Sequence, residues 1–402
     1  MMYSEKAQIA DGRILRNRMG EFHESIRDEL IEALGEVIKC DPLSLVKIIR
    51  KCDAEFAAWM GFPFAVGVNS GTSALVIALH GLGVQPGDEV ITVANSDMAD
   101  TNAIVAVGAV PVLCDVKPDD YTMDPEKLEP LITNKTKVIL PVDLYGNPAD
   151  IQRIREIADQ YGIKVLQDAA LGIFSRYQGK PAGYFADAVA FSTSTTKLVH
   201  GLGYGGYVCS RDPALEKKFR LFTEYGVDED LGKDDPYSGV KYHAENGLNV
   251  KMNAADAVAV RCKLKYFEQF RNLRKQVLNW YEDYLGNIPN IVLPKFCERA
   301  DPCVREYVIR VVSGDNNDGK VRNELCSALA SKGVQSTLAF TPCVHKRLIG
   351  RSHIWAGAEN VPVSEMLDGQ LLSLPCDITT TEENVRFIAD IIRKFMAAGH
   401  SL

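Results

Sequence analysis

The sequence predicts an α/β protein: a mostly parallel sheet between helices, with a smaller α/β unit at the C-terminal end. Three observations carry this reading. Over residues 65–210, short runs that are apolar throughout alternate with helical stretches. Strands buried on both faces give that pattern. Glycine, proline and aspartate punctuate the joins, as at Pro86-Gly87-Asp88-Glu89 and Gly108. From about residue 250 the texture changes to long charged helices and a few short strands. We therefore read residues 1–249 as a large domain with N-terminal helices, and 250–402 as a small C-terminal domain.

Ile26, Leu30, Ile31, Leu34 and Val37 fall at helical spacing. A second helical run, 43–60, carries Leu45, Ile48, Ile49 and Phe56, and Gly61-Phe62-Pro63 stops it. Residues 65–68 form a short buried strand. Asn69-Ser70-Gly71-Thr72-Ser73 then turns into a helix over 74–82. Strands follow at 90–93, 110–116, 137–142, 164–166, 188–191 and 206–209, with helices at 100–107, 124–133 and 150–161 between the earlier ones. In the C-terminal part, 254–264 is an alanine-rich helix and 266–285 a long charged one. A strand at 307–312, a helix at 319–332, a strand at 334–340 and a closing helix at 382–395 complete the chain.

Composition excludes several functions. The 402 residues carry a formal net charge of -8, with 46% hydrophobic and 24% charged residues, ordinary for a soluble globular protein. No basic block points to nucleic acid, and no window approaches the ~18 apolar residues a membrane span needs. The N-terminal stretch reads as no secretory signal. Ten cysteines are scattered without a CxxC pair, which predicts reduced core thiols in a cytoplasmic protein rather than disulfides or a metal site.

The candidate chemistry lies at strand ends, where ligands collect in such sheets. Gly71, Thr72 and Ser73 open a helix directly after a strand, an arrangement that suits an anion because free N–H groups and the helix dipole face it. A capped helix without a ligand fits that stretch equally well. Asp168 ends another strand. Lys197 follows Phe191-Ser192-Thr193-Ser194-Thr195-Thr196 and precedes a loop with Gly201, Gly203, Gly205 and Gly206. A lysine amine that forms an imine, and an acid that pairs with a pyridinium nitrogen, are what pyridoxal phosphate needs. Alone, each residue also reads as a surface lysine or a turn aspartate. The order of the motifs around them favours the chemistry.

These motifs resemble the DegT/StrS family of sugar aminotransferases, fold type I enzymes of pyridoxal phosphate. The resemblance runs from the helix near 45 to the C-terminus. It rests on Ser70-Gly71-Thr72-Ser73-Ala74-Leu75, Pro86-Gly87-Asp88-Glu89-Val90-Ile91, Gly108-Ala109-Val110-Pro111-Val112, Leu144-Tyr145-Gly146, Gln167-Asp168-Ala169-Ala170, Phe191-Ser192 with Lys197, Gly247-Leu248-Asn249-Val250-Lys251-Met252 and Leu372-Ser373-Leu374-Pro375. It implies Lys197 as the Schiff-base lysine and Asp168 as the partner of the pyridine nitrogen. It further implies Gly71, Thr72, Ser73 and Ser192 around the phosphate, with Asn249 reaching the same phosphate in the neighbouring subunit of a homodimer. The implied reaction moves an amino group from glutamate or glutamine to a keto-sugar, often nucleotide-linked. Two alternatives stay open: a sugar dehydratase, which would carry histidine where Lys197 stands, and a non-catalytic regulatory or sugar-nucleotide-binding member. Four positions depart from the family pattern. Asp97 or Met98 falls where an aromatic ring stacks on the cofactor, Leu171 where glutamine or histidine is usual, Tyr204 in place of an acid, and Lys251 in place of arginine.

Overall fold

The apolar runs become strands because their alternate side chains enter two different cores. In the computed structural model, which describes residues 13–16, 19–228, 231, 241–314, 318–347 and 355–398, helices α1 (Met19–Ser25), α2 (Arg27–Ile38) and α3 (Pro42–Met60) precede the first strand. The N-terminal stretch read for a secretory signal lies outside the described residues. Strands β1 (Phe64–Val68), β2 (Glu89–Val93), β3 (Val110–Cys114), β4 (Thr136–Ile139), β5 (Lys164–Asp168), β6 (Ala188–Ser192) and β7 (Gly206–Ser210) form one sheet in the order β1-β7-β6-β5-β4-β2-β3. The pairings from β6 through β3 are parallel, and β7 runs antiparallel to both its neighbours. Phe64, Val66, Val68, Ala190 and Val208 enter one core, while Ala65, Val189, Phe191, Tyr207 and Cys209 enter the other. A period of two with both faces covered is why these strands read as unbroken apolar runs. On the second face Phe56 of α3 stacks on Tyr207 at 3.8 Å between ring centres.

Helices α4 (Gly71–Gly81), α5 (Met98–Ala106), α6 (Ile151–Tyr161) and α7 (Pro213–Thr223) each begin at a side-chain cap. Ser70, Asp97, Asp150 and Asp212 accept from the first free N–H groups, so the chain turns from loop to helix where these short polar residues stand. The cap at Ser70 starts α4 at Gly71, three residues before the start read from the sequence.

Helix α8 (Ala254–Leu264) packs in one core with α2 and α3. Beyond it, α9 (Phe267–Leu285) leads to a three-stranded antiparallel sheet of β8 (Ile291–Val292), β9 (Tyr307–Val311) and β10 (Leu371–Leu374). Helices α10 (Lys320–Ser331), α11 (Val344–Arg347), α12 (Pro362–Asp368) and α13 (Glu382–Ala397) complete this part. Val277, Tyr281, Leu325, Leu329, Ile388 and Ile392 fill its core against the strands.

Two expected elements differ. The helix read over 124–133 is a pair of 3-10 turns, Pro125–Lys127 and Glu129–Leu131. Pro130 has no N–H for a continuous ladder. The strand read over 334–340 makes only single bridges, Val334 to Ile14 and Thr337 to Ser373. The chain then turns at Phe340, whose φ of 50° no strand accommodates.

Candidate active site

The carboxyl ends of β5 and β6 and the start of α4 meet at a cavity of about 270 Å³. Gly71, Thr72, Asp168, Ser192 and Lys197 all line it. The N–H groups of Gly71 and Thr72 have no acceptor within their own helix, because no turn precedes them. Gly71 must be glycine for a close approach: a Cβ there would stand 2.8 Å from the Cβ of Ser192. Gly206 is held as tightly, since its Cβ would lie 2.6 Å from the Phe191 carbonyl oxygen.

Lys197 sits in a loop pinned along its backbone. Thr193 N–H donates to the Gly205 carbonyl (2.8 Å), Gly201 N–H to the Thr193 carbonyl (2.9 Å), and Lys197 N–H to the Ser194 carbonyl (2.9 Å). Asp256 of α8 accepts from the N–H groups of Leu202 and Gly203, each at 2.7 Å. The loop conformation therefore does not depend on the Lys197 side chain. Burial, with help from the Arg305 guanidinium, lowers the Lys197 amine to about 8. Arg305 donates through Nε to the Thr196 carbonyl at 2.7 Å and pairs with Glu306.

Asp168 is buried at the end of β5, and its carboxylate accepts from Ala170 N–H at 2.8 Å. Burial pushes its pKa up, while Asp100, Ala170 and Lys197 pull it back. Behind it, the Asp143 N–H donates to the Asp168 carbonyl at 2.9 Å. The Asp143 carboxylate accepts from Gln167 Nε2 at 2.9 and 2.8 Å, yet burial still raises it to about 7. A carboxyl raised in the folded state binds a proton that the unfolded chain has already released above about pH 4. Its contribution to stability is full below that value and is lost as pH rises through about 7. The thermal midpoint of the apoprotein is expected to fall over this window, and Asp143→Asn is expected to flatten that slope. Parallel pH profiles of the two proteins would contradict the assignment.

The residues fit pyridoxal phosphate by the chemistry of the donors. Helix-start N–H groups and Ser192 suit a phosphate at one end of the cavity. A buried carboxylate suits a ring nitrogen, and a lysine amine suits an aldehyde carbon. Ser73 does not line the cavity; its hydroxyl donates to Asn69 at 2.6 Å and its N–H to Ser70 at 3.0 Å. Asn249 is exposed, does not line this chain's own cavity, and bridges to Glu224. Of the four departures, Asp97, Leu171 and Tyr204 line the cavity. Met98 does not, and the Lys251 amine lies over the Tyr225 ring at 5.9 Å.

The sequence reading passed over Ser70, Asp100 and Phe340, which line the cavity, and Arg305, which acts on Lys197. A signal existed for Ser70, as a cap directly before the glycine. Asp100 had only its four-residue spacing from Ser96.

The DegT/DnrJ/EryC1/StrS aminotransferase family matches this chain over residues 24–393. The dTDP-3-amino-3,4,6-trideoxy-alpha-D-glucose transaminase of Streptomyces venezuelae is 32% identical over 378 residues, 93% of each chain. The erythromycin biosynthesis sensory transduction protein EryC1 of Saccharopolyspora erythraea is 35% identical over 326 residues, 80% of this chain and 83% of that one. The solved structure of S. venezuelae DesV superposes with a TM-score of 0.85 at 30% identity, covering 96% of this chain and 98% of that one.

Proposed function

The chain belongs to the DegT/DnrJ/EryC1/StrS aminotransferase family, and from that membership we propose that it moves an amino group from glutamate or glutamine to a nucleotide-linked keto-sugar. The family's aminotransferases use pyridoxal phosphate and share the fold type I architecture. The observation that carries the reading is the meeting of Lys197, Asp168, Ser192 and the Gly71 turn on one cavity. The named transaminase relative acts on a dTDP-amino-sugar, which supports a nucleotide-linked acceptor here. In keeping with the scattered cysteines, we place the reaction in a reducing cytoplasm.

Bound pyridoxal phosphate supplies an electron sink for the carbanion left when the donor loses its Cα proton. The protein does the rest. Lys197 Nζ takes that proton, and an amine held near 8 is unprotonated in useful fraction at neutral pH. Asp168 keeps a proton on the ring nitrogen by placing a buried negative charge beside it. Gly71, Thr72 and Ser192 hold the phosphate. A dehydratase would carry histidine where this chain has Lys197, so that alternative is not favoured.

The test is a half-reaction. With excess cofactor, glutamate or glutamine alone should fade the visible absorbance and release one oxo-acid per site, and a keto-sugar should restore it. If both donors and a broad panel of other amino acids leave the absorbance unchanged, transamination is wrong and the non-catalytic reading replaces it.

Asn249 and the exposed apolar side chains Leu202, Tyr204, Tyr225 and Leu248 support a homodimer in which Asn249 serves the partner's phosphate. Mixing inactive Lys197→Ala chains with an inactive Asn249→Ala variant is then expected to recover activity, because a mixed dimer contains one intact site. A fully active monomer by sedimentation would contradict this.

A further inference from the structure

Asp100, in the first turn of α5, is fully buried and lines the same cavity as Asp168. Ser96 donates its hydroxyl to Asp100 Oδ2 at 2.8 Å. No described protein donor reaches the other oxygen, Oδ1. The two carboxyl groups lie within hydrogen-bonding reach of each other. Two carboxylates that close, both out of water, cannot both be ionised, so they share one proton.

The surroundings decide which one holds it. Asp168 accepts from the Ala170 N–H and faces the Lys197 amine, both of which favour its anion. Asp100 has one neutral donor, Ser96, and faces the Asp168 charge, while the Asp97 charge acts on both acids. Lys197 faces all three acids, with Arg305 beyond it and Asp143 behind Asp168. Burial and the Asp168 charge both push the Asp100 carboxyl well up, the direction this asymmetry requires.

We propose that Asp100 is a positioning residue: a protonated carboxyl group that donates a hydrogen bond to Asp168 and keeps that acid anionic and oriented towards the cofactor ring nitrogen. The proposal rests on the aminotransferase reading for the ring nitrogen, but the proton on Asp100 does not. The hydrogen bond supplies one side of Asp168 with a donor and leaves its remaining lone pairs for the ring. Helix α5, capped by Asp97, thus bears on the ring nitrogen through its acid partner.

Two measurements test it. The infrared difference spectrum of wild-type apoprotein minus Asp100→Asn at neutral pH should contain the C=O stretch of a protonated carboxyl, because the other carboxyls that burial raises to about 7, Asp143 and Asp53, are common to both proteins and cancel. Its absence overturns the proposal, and no cofactor enters that result. In the holoenzyme, Asp100→Val should weaken cofactor retention at least tenfold. Asp100→Asn should recover most of that retention, since its amide can accept from Ser96 and donate to Asp168. If Asn is as poor as Val, Asp100 does not position Asp168. Should Asp100→Val fail to fold, Asp100→Ala replaces it, and the infrared result stands by itself. Failure of wild-type protein to bind the cofactor would count against the aminotransferase reading alone.

Discussion

Lys197→Ala is expected to lower turnover by roughly 10²–10⁴-fold or more, the range that a positioned general base contributes, while leaving the fold intact. The loss should be this large because no other amine lines the cavity among the described residues. The fold should survive because the loop is tied by backbone bonds and by Asp256, none of which involves the Lys197 side chain. Lys197→Arg should be nearly as poor, since a guanidinium stays protonated at any working pH and cannot take a proton. In the wild type, borohydride should fix the cofactor on the peptide that contains Lys197, and in Lys197→Ala it should fix none. Label on another lysine, or near-normal turnover in the alanine variant, would remove Lys197 from the mechanism.

Asp168, Ser192 and the Gly71 turn were legible because each sits at or just past the end of an apolar run, and Lys197 because it follows one after a short hydroxyl-rich stretch; such runs in a parallel sheet end on one side. The pattern therefore brought these four positions to one cavity without any contact information. Arg305 was not legible. It lies 109 residues from Thr196 and meets the lysine loop through a hydrogen bond to that residue's carbonyl. Asp100 was hidden for a different reason. At a helix start an aspartate usually faces water near the dipole, and only the packing of α5 against α4, β2 and β3 turns this one inward. The fold was easier to read than its edges. Pro130 broke the helix read over 124–133, and Phe340 turned an apparent strand toward the cavity. In both places one residue's backbone geometry overrode a pattern summed over several. Asn249 is the reverse case: a family resemblance singled it out, and a single chain leaves it facing solvent.

Asp168→Asn is expected to retain the fold and lose roughly 10²–10³-fold in turnover, the scale set by removing one preorganised electrostatic partner. The substitution keeps the size of the side chain, and its amide oxygen can still accept from the Ala170 N–H 2.8 Å away. What it removes is the buried charge. Without that charge nothing else at the floor of the cavity favours a proton on the ring nitrogen. Asp100 cannot take over, because its carboxyl is pushed towards the neutral form by burial. Asp143 is engaged by Gln167 and does not line the cavity. The substitution leaves Gly71, Thr72 and Ser192, proposed to hold the phosphate, unchanged, so excess cofactor should still fill the site and its visible absorbance should still form. The expected signature is thus a full site that turns over slowly, measured as the rate of oxo-acid release from glutamate at saturating cofactor. A variant that cannot be filled would mean Asp168 mainly supports binding, and one that works at near-normal rate would mean another group partners the ring.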